Sequence, residues 1–333
     1  MKLSILDQAP IASNETPQQA LQNALLLAQH GEALGYTRYW IAEHHDLAGL
    51  ACSAPEIMLS YIGAQTKTIR LGTGALLLPH YKPYKVAELF HMLATLLPNR
   101  IDVGIGRAPG GSSEAMIALS GNFIQNVGRF PQLVEELLQF LQDDFQPENA
   151  HAKLSAAPVP AIAPVPWLLG TGQKSAVLAA QHGLPFTFGH FMSSEDGVAV
   201  IQQYRDTFTP STFAKTSYVI VTASVICAET TEQAEHIAQS FLIWSLQLDK
   251  GSANGIPSIE EAHNYELNEA DVETLQTMKK RAIIGNPAQV KEQLHAIQRM
   301  YGADEIMINT IAYSLHDRLQ SYTLIANEMK FID

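Results

Sequence analysis

IRLGTGALLLPHYKPYKVAELFHMLATLLPNRIDVGIGR, residues 69–107, is the stretch from which the fold is read. Its apolar run at 69–78 predicts a strand, the segment 83–97 a helix, and the run at 100–105 another strand. A strand, a helix and a second strand in series form a βα repeat, and the same alternation continues in both directions. Toward the N-terminus, 3–7 predicts a first strand and 17–34 its helix, opened by Thr16 as N-cap with Pro17 at N1 and closed near Gly35. A second strand at 37–43 is followed by a helix from Ser53-Ala54-Pro55 to Ala64. Toward the C-terminus come helix 127–141, strand 167–171 with helix 173–182, and strand 185–188 with helix 194–208. Strand 217–226, helix 287–301 (marked by Asn286-Pro287), strand 304–309 and helix 314–330 complete eight units, the number at which a parallel barrel closes.

The predicted fold is therefore an α/β (β/α)8 TIM barrel occupying 1–333 as a single domain, with 230–283 inserted between strand 7 and helix 7. The insertion is helical at 231–248 and polar at 249–268, where Gly251, Gly255 and Pro257 are the features expected of a lid on the catalytic face. The Ala- and Pro-rich stretch 149–166 is expected to be an extended surface loop. A domain split there would leave two half-barrels with open strand edges.

Composition narrows the function classes. Hydrophobic residues make up 47% and charged residues 16% of 333, which describes a chain with a substantial core. A formal net charge of -12 argues against nucleic acid and anionic membrane surfaces as partners. Cys52 and Cys227 show no metal or disulfide spacing, and neither a signal peptide nor a membrane span is legible. These features point to the cytoplasm.

Catalytic groups of such a barrel lie just past the strand ends. These are Asp7, Glu43-His44-His45, Gly74-Ala75, Gly106-Arg107, Gly170-Thr171-Gly172, Gly189-His190 and Asn309. Adjacent histidines on an extended segment point to opposite sides, so His44 and His45 form a poor chelating pair, and no metal is assigned. A structural histidine pair, or a general acid/base, remains for that position. GIGRAPGGSS (104–113) has Pro109 where a dinucleotide fingerprint needs its third glycine. It leaves a strand end open to close backbone approach, then Arg107 as either a phosphate fork or a plain surface residue. Gly170-Thr171-Gly172 opens a helix whose first turn holds Ser175, either an anion site or simply a helix start. Gly72 and Gly74 signal a bulge or a flat ligand against the backbone. The pairs Glu135-Glu136, Asp143-Asp144 and Glu260-Glu261 are assigned to solvated surface.

The strings LDQAP, GYTRYWIAEHHDLAGLACSAPE, RLGTGALLLPHYKPYKVAE, NRIDVGIGRAPGG, LLGTGQKSAVLAAQHGLPF and YGADEIMINT together resemble the luciferase-like flavin monooxygenase family over nearly the whole chain. The resemblance implies binding of reduced FMN, supplied by a separate flavin reductase, and use of O2 to oxygenate a small organic substrate. It places His44 at the flavin-oxygen chemistry and Arg107, Thr171, Gly172 and Ser175 at the FMN phosphate. It also places Gly74 and Ala75 at a strained peptide bond beneath the ring. Gly106 and Glu43 complete the cofactor-binding set, Glu43 in a supporting role. Two departures from bacterial luciferase, Thr171-Gly172 in the phosphate loop and Pro79-His80-Tyr81-Lys82-Pro83 beside the substrate, leave an aldehyde substrate and light emission unimplied. Relatives that use F420 for hydride transfer, and non-catalytic flavin-binding relatives, give the alternative readings. Relatives also pair two barrels, which implies a homodimer through 53–64 and 83–97.

Overall fold

The structure is a computed structural model that describes residues 1–330, so 331–333 of the expected domain lie outside the described residues. Eight parallel strands form the barrel. They are β1 (Lys2–Asp7), β2 (Arg38–Ile41), β3 (Arg70–Thr73), β4 (Ile101–Gly106), β5 (Val165–Gly170), β6 (Phe186–Gly189), β7 (Val219–Cys227) and β8 (Glu305–Asn309). Each pairs with the next in chain order, and β8 closes the circle by pairing with β1 at Lys2↔Glu305 and with β7 at Glu305↔Ile220.

Local chemistry explains the outer ring. Helix Pro17–Ala33 starts at Thr16, whose hydroxyl accepts from the Gln19 N–H while the Gln19 side chain reaches back to the Thr16 N–H. The chain then reverses at Gly35, where φ is 81°. Helix Pro287–Tyr301 has the same reciprocal cap between Asn286 and Gln289 and stops at left-handed Gly302. The expected helix at 127–141 is Phe130–Gln142. Two short helices before it, Ser113–Ser120 and Phe123–Gly128, were not foreseen. Neither buries a residue, so neither carries the apolar stripe that makes a helix legible.

Two further strands depart from the expected count. The run at 69–78 is broken by a cis peptide between Gly74 and Ala75, after which Leu76–Leu77 pairs with β4 at Leu76↔Ile105. At the end of the insertion and just past it, Ile283–Gly285 pairs with the end of β7 at Val225↔Ile283. Three residues are too few to show a period. The rest of the insertion comprises helices Thr231–Asp249, Ile259–His263 and Glu269–Arg281. It folds over the strand ends. Ile256 exchanges backbone hydrogen bonds with Ile11 and Ser13, each 2.8 Å, and Trp244, Ile256 and Ile311 share a small apolar core.

Inside the bore, alternate residues of each strand meet in layers. A middle layer contains Leu6, Trp40, Trp167, Ile220 and Met307. Below it the N-terminal end is closed by ions: Arg38 lies 2.7 Å from Asp102 and 2.8 Å from Glu305, and Arg70 lies 2.6 Å from Asp102. The paired cations hold the Asp102 carboxyl below its usual range against the opposing effect of burial. This layer plugs one end of the barrel and leaves the other for a site. Among the described residues no helix is long and apolar enough to cross a membrane.

Candidate active site

Leaving β2, residues 43–45 run extended, so Glu43 and His45 face one side and His44 the other. The buried Glu43 carboxylate accepts from His45 Nε2 at 2.7 Å, from the Tyr81 hydroxyl at 2.7 Å and from the Leu77 N–H at 2.9 Å. These three donors come from the ends of two neighbouring strands. The His45 N–H also donates to Gly110 O at 2.8 Å, which joins the loop after β4 to the same hub. Three protein donors thus engage the Glu43 carboxylate, for which the sequence reading expected a supporting role. Tyr81 was not anticipated as its partner; nothing in the spacing of the sequence brings the two together.

His44 stands apart. Its N–H donates to Cys52 O at 2.9 Å, whereas its buried ring nitrogen Nδ1 has no partner. Burial, with a smaller contribution from His45, pulls its pKa down to about 4, so the ring is neutral at pH 7. A neutral imidazole with an unused nitrogen can accept or donate one further hydrogen bond.

The glycines have a different task from the one expected of some of them. A Cβ on Gly72 would lie 2.6 Å from Trp40 Nε1, and one on Gly74 would lie 2.5 Å from a Leu6 methyl. Gly72 therefore makes room for the tryptophan of the bore rather than for a ligand. Gly106 does serve the mouth: its missing Cβ lets Ala75 pack at what would be 2.7 Å, drawing the ends of β3 and β4 together.

Arg107 is exposed, and among the described residues no hydrogen bond or ion pair engages it. In register it is level with Gly170, because each is two residues beyond the Ile105↔Leu168 pair. Immediately past Gly170, helix Gln173–Gln181 begins with Gly172 as an N-cap that offers no side chain. Ser175 Oγ donates to Gly172 O at 2.8 Å, tightening the first turn. The structure therefore brings Arg107 and the 171–175 turn to neighbouring strand ends. It also places there Glu195, which the sequence reading missed, with Oε2 accepting the Gln173 N–H at 3.1 Å. Two other strand ends are taken up by protein. Asp7 binds Arg318 at 2.8 Å, the Tyr39 hydroxyl at 2.7 Å and the Ala9 N–H at 2.7 Å, while His190 Nδ1 meets the Tyr301 hydroxyl at 2.9 Å.

Parallel strands carry all these groups to one end of the barrel, the end at which barrel enzymes do their chemistry. Comparison with known proteins makes the class specific. The family model described as luciferase-like monooxygenase matches residues 1–304, and the chain belongs to that family. It is 42% identical over 324 residues to "Uncharacterized protein YceB" of Bacillus subtilis (strain 168), covering 97% of this chain and 98% of the relative. It is 36% identical over 332 residues to "N-acetyl-S-alkylcysteine monooxygenase" of the same organism, covering 98% of each. The crystal structure of apo-MsnO8 superimposes with a TM-score of 0.90 at 31% identity, covering 99% of this chain and 98% of that one. Two more distant structures share the fold. One is the oxygenating constituent of 3,6-diketocamphane monooxygenase in complex with FMN, with TM-score 0.72, 19% identity and coverage of 98% and 97%. The other is an F420-dependent secondary alcohol dehydrogenase in complex with an F420-acetone adduct, with TM-score 0.72, 13% identity and coverage of 99% of each.

Proposed function

We propose that this chain, acting as one barrel domain, is an FMN-dependent monooxygenase of the two-component type. A separate flavin reductase supplies reduced FMN, and O2 and a small organic substrate are its other reactants. The observation that carries this reading is the exposed Arg107, unpaired among the described residues, set level with a helix N-terminus on the neighbouring strand whose first-turn N–H groups beyond Gln173 have no partner within the helix. A guanidinium fork and free backbone N–H groups together suit a phosphate. The reduced flavin supplies the electrons that activate O2.

The roles of the chain's own residues follow from their positions. Arg107, Thr171, Gly172 and Ser175 hold the phosphate, and Gly74, Ala75 and Gly106 give a side-chain-poor floor for a planar ring. His44 offers neutral Nδ1 to one hydrogen-bond partner at the reacting end and holds or passes a proton there. Glu43 braces the segment carrying His44. The polar segment 249–268 of the insertion serves as the lid that excludes water. Exposed Ile57 and Tyr61 on helix Pro55–Gly63, and Met92 and Leu96 on helix Pro83–Leu96, each pair four residues apart, support a homodimer through these helices. The cytoplasm, where a reductase maintains reduced FMN, is the compartment that fits this chemistry.

Titration of the protein with FMN, riboflavin and F420 tests the cofactor. FMN is expected to bind more tightly than riboflavin, with the difference lost in Arg107→Ala; tighter binding of F420 than FMN would favour hydride transfer without oxygen. N-acetyl-S-alkylcysteines, named for the Bacillus relative, are the first substrates to assay with supplied reduced FMN. His44→Ala is expected to uncouple oxygen consumption from product, and unchanged coupling would remove His44 from the chemistry.

A further inference from the structure

Helix Gln173–Gln181 is capped from outside its own sequence. Its N-cap, Gly172, contributes no side chain, and the carboxylate of Glu195, on the loop after β6, takes the Gln173 N–H at 3.1 Å instead. The fit is close. A Cβ on Gly172 would lie 2.1 Å from Glu195 Oε1, so a larger residue there would displace the carboxylate from this position. The loop is folded back to deliver it: Ser193 Oγ donates to Thr171 O at 2.8 Å and accepts from the Glu195 N–H at 3.1 Å. Arg107, level with Gly170 on the neighbouring strand, is left without a partner among the described residues.

We propose that Glu195 is a built-in competitor for the cofactor phosphate, setting how strongly the site holds phosphate-bearing flavins. The inference rests on the assignment of Arg107 and the 171–175 turn to that phosphate. A carboxylate and a phosphate cannot share one N–H, and their like charges repel at this separation. Phosphate entry therefore turns Glu195 outward, and departure of the phosphate lets it return to cap the helix. Riboflavin, which has no phosphate, leaves Glu195 in place. An enzyme that takes up reduced FMN and must give back oxidised FMN at each turnover needs such a reversible grip, since release of product limits many turnover rates.

Fluorescence titration of FMN and riboflavin against wild type, Glu195→Gln, Glu195→Ala and Arg107→Ala tests the proposal. Both Glu195 variants are expected to bind FMN about ten-fold more tightly, the factor that roughly 1.4 kcal/mol represents, with riboflavin unchanged. Without ligand in phosphate-free buffer, Glu195→Ala is expected to melt below wild type and to recover more than wild type on addition of inorganic phosphate. Glu195→Gln keeps a capping oxygen and guards against a variant that merely folds poorly. Unchanged or weaker FMN affinity in both Glu195 variants, or an equal gain for riboflavin, overturns the proposal. Arg107→Ala keeps the two failures apart: if it weakens FMN and riboflavin alike, the phosphate assignment itself is wrong, whatever Glu195 does.

Discussion

Replacing Glu43 by glutamine separates a bracing role from a cofactor contact. The wild-type carboxylate accepts three hydrogen bonds, at 2.7, 2.7 and 2.9 Å, and is 2% exposed. An amide of the same shape has one accepting oxygen, so whichever way it turns, its NH2 confronts either the Leu77 N–H or the pair formed by His45 and Tyr81. Tyr81 and His45 can re-orient their protons, but Leu77 N–H cannot. The amide therefore turns its oxygen to the Leu77 N–H and its NH2 to Tyr81 and His45, and trading charge-assisted for neutral hydrogen bonds brings the expected loss to roughly 1–3 kcal/mol. Urea unfolding followed by fluorescence should show the midpoint falling with an unchanged slope. Tyr81→Phe should cost about 1 kcal/mol, and the double variant should lose less than the sum because both act on one hub. A Glu43→Gln protein as stable as wild type but impaired in FMN binding would refute this reasoning and return Glu43 to the cofactor.

Three further outcomes are expected. Arg38→Met should lose about 3–5 kcal/mol in chemical denaturation, because it strands Asp102 and Glu305 as buried carboxylates with fewer partners. His44 has a folded pKa lowered from 6.5 to about 4, so its contribution to stability is complete above pH 6.5 and is lost as pH falls through that window. Denaturation series between pH 7 and 4 should therefore show a shallower dependence in His44→Gln, by up to about one proton. Leu96→Glu, on the exposed face of its helix, should leave the fold intact and convert a dimer to a monomer by light scattering; a dimer that persists places the interface elsewhere.

Much of the fold was legible because βα units repeat and each signals itself locally. Thr16-Pro17, Asn286-Pro287 and Gly35 are helix punctuation that acts within a few residues, and the parallel strands are apolar enough to stand out. Position in that count is enough to send Glu43-His44-His45, Gly106-Arg107 and the 171–175 turn to one face. The alternation of an extended segment also separated His44 from His45, and the structure agrees: His45 turns to Glu43 and His44 does not. What escaped was either too short or too weakly patterned. Ile283–Gly285 has three residues, and the helices at 113–128 bury none of theirs.

Sequence by itself determined the barrel, the strand ends and the types of residue at its mouth, since these depend on local propensity and on a periodicity that each segment carries alone. Only the tertiary structure decided how those residues divide their tasks. Whether Gly72 seats a ligand or Trp40, whether Glu43 faces a cofactor or Tyr81, and whether the end of helix Gln173–Gln181 is open or held by Glu195 are questions of contact between residues 22 to 38 positions apart. Those contacts form through the closing of the barrel, which brings distant strand ends within hydrogen-bond reach, and no spacing along the chain encodes which partner each will meet.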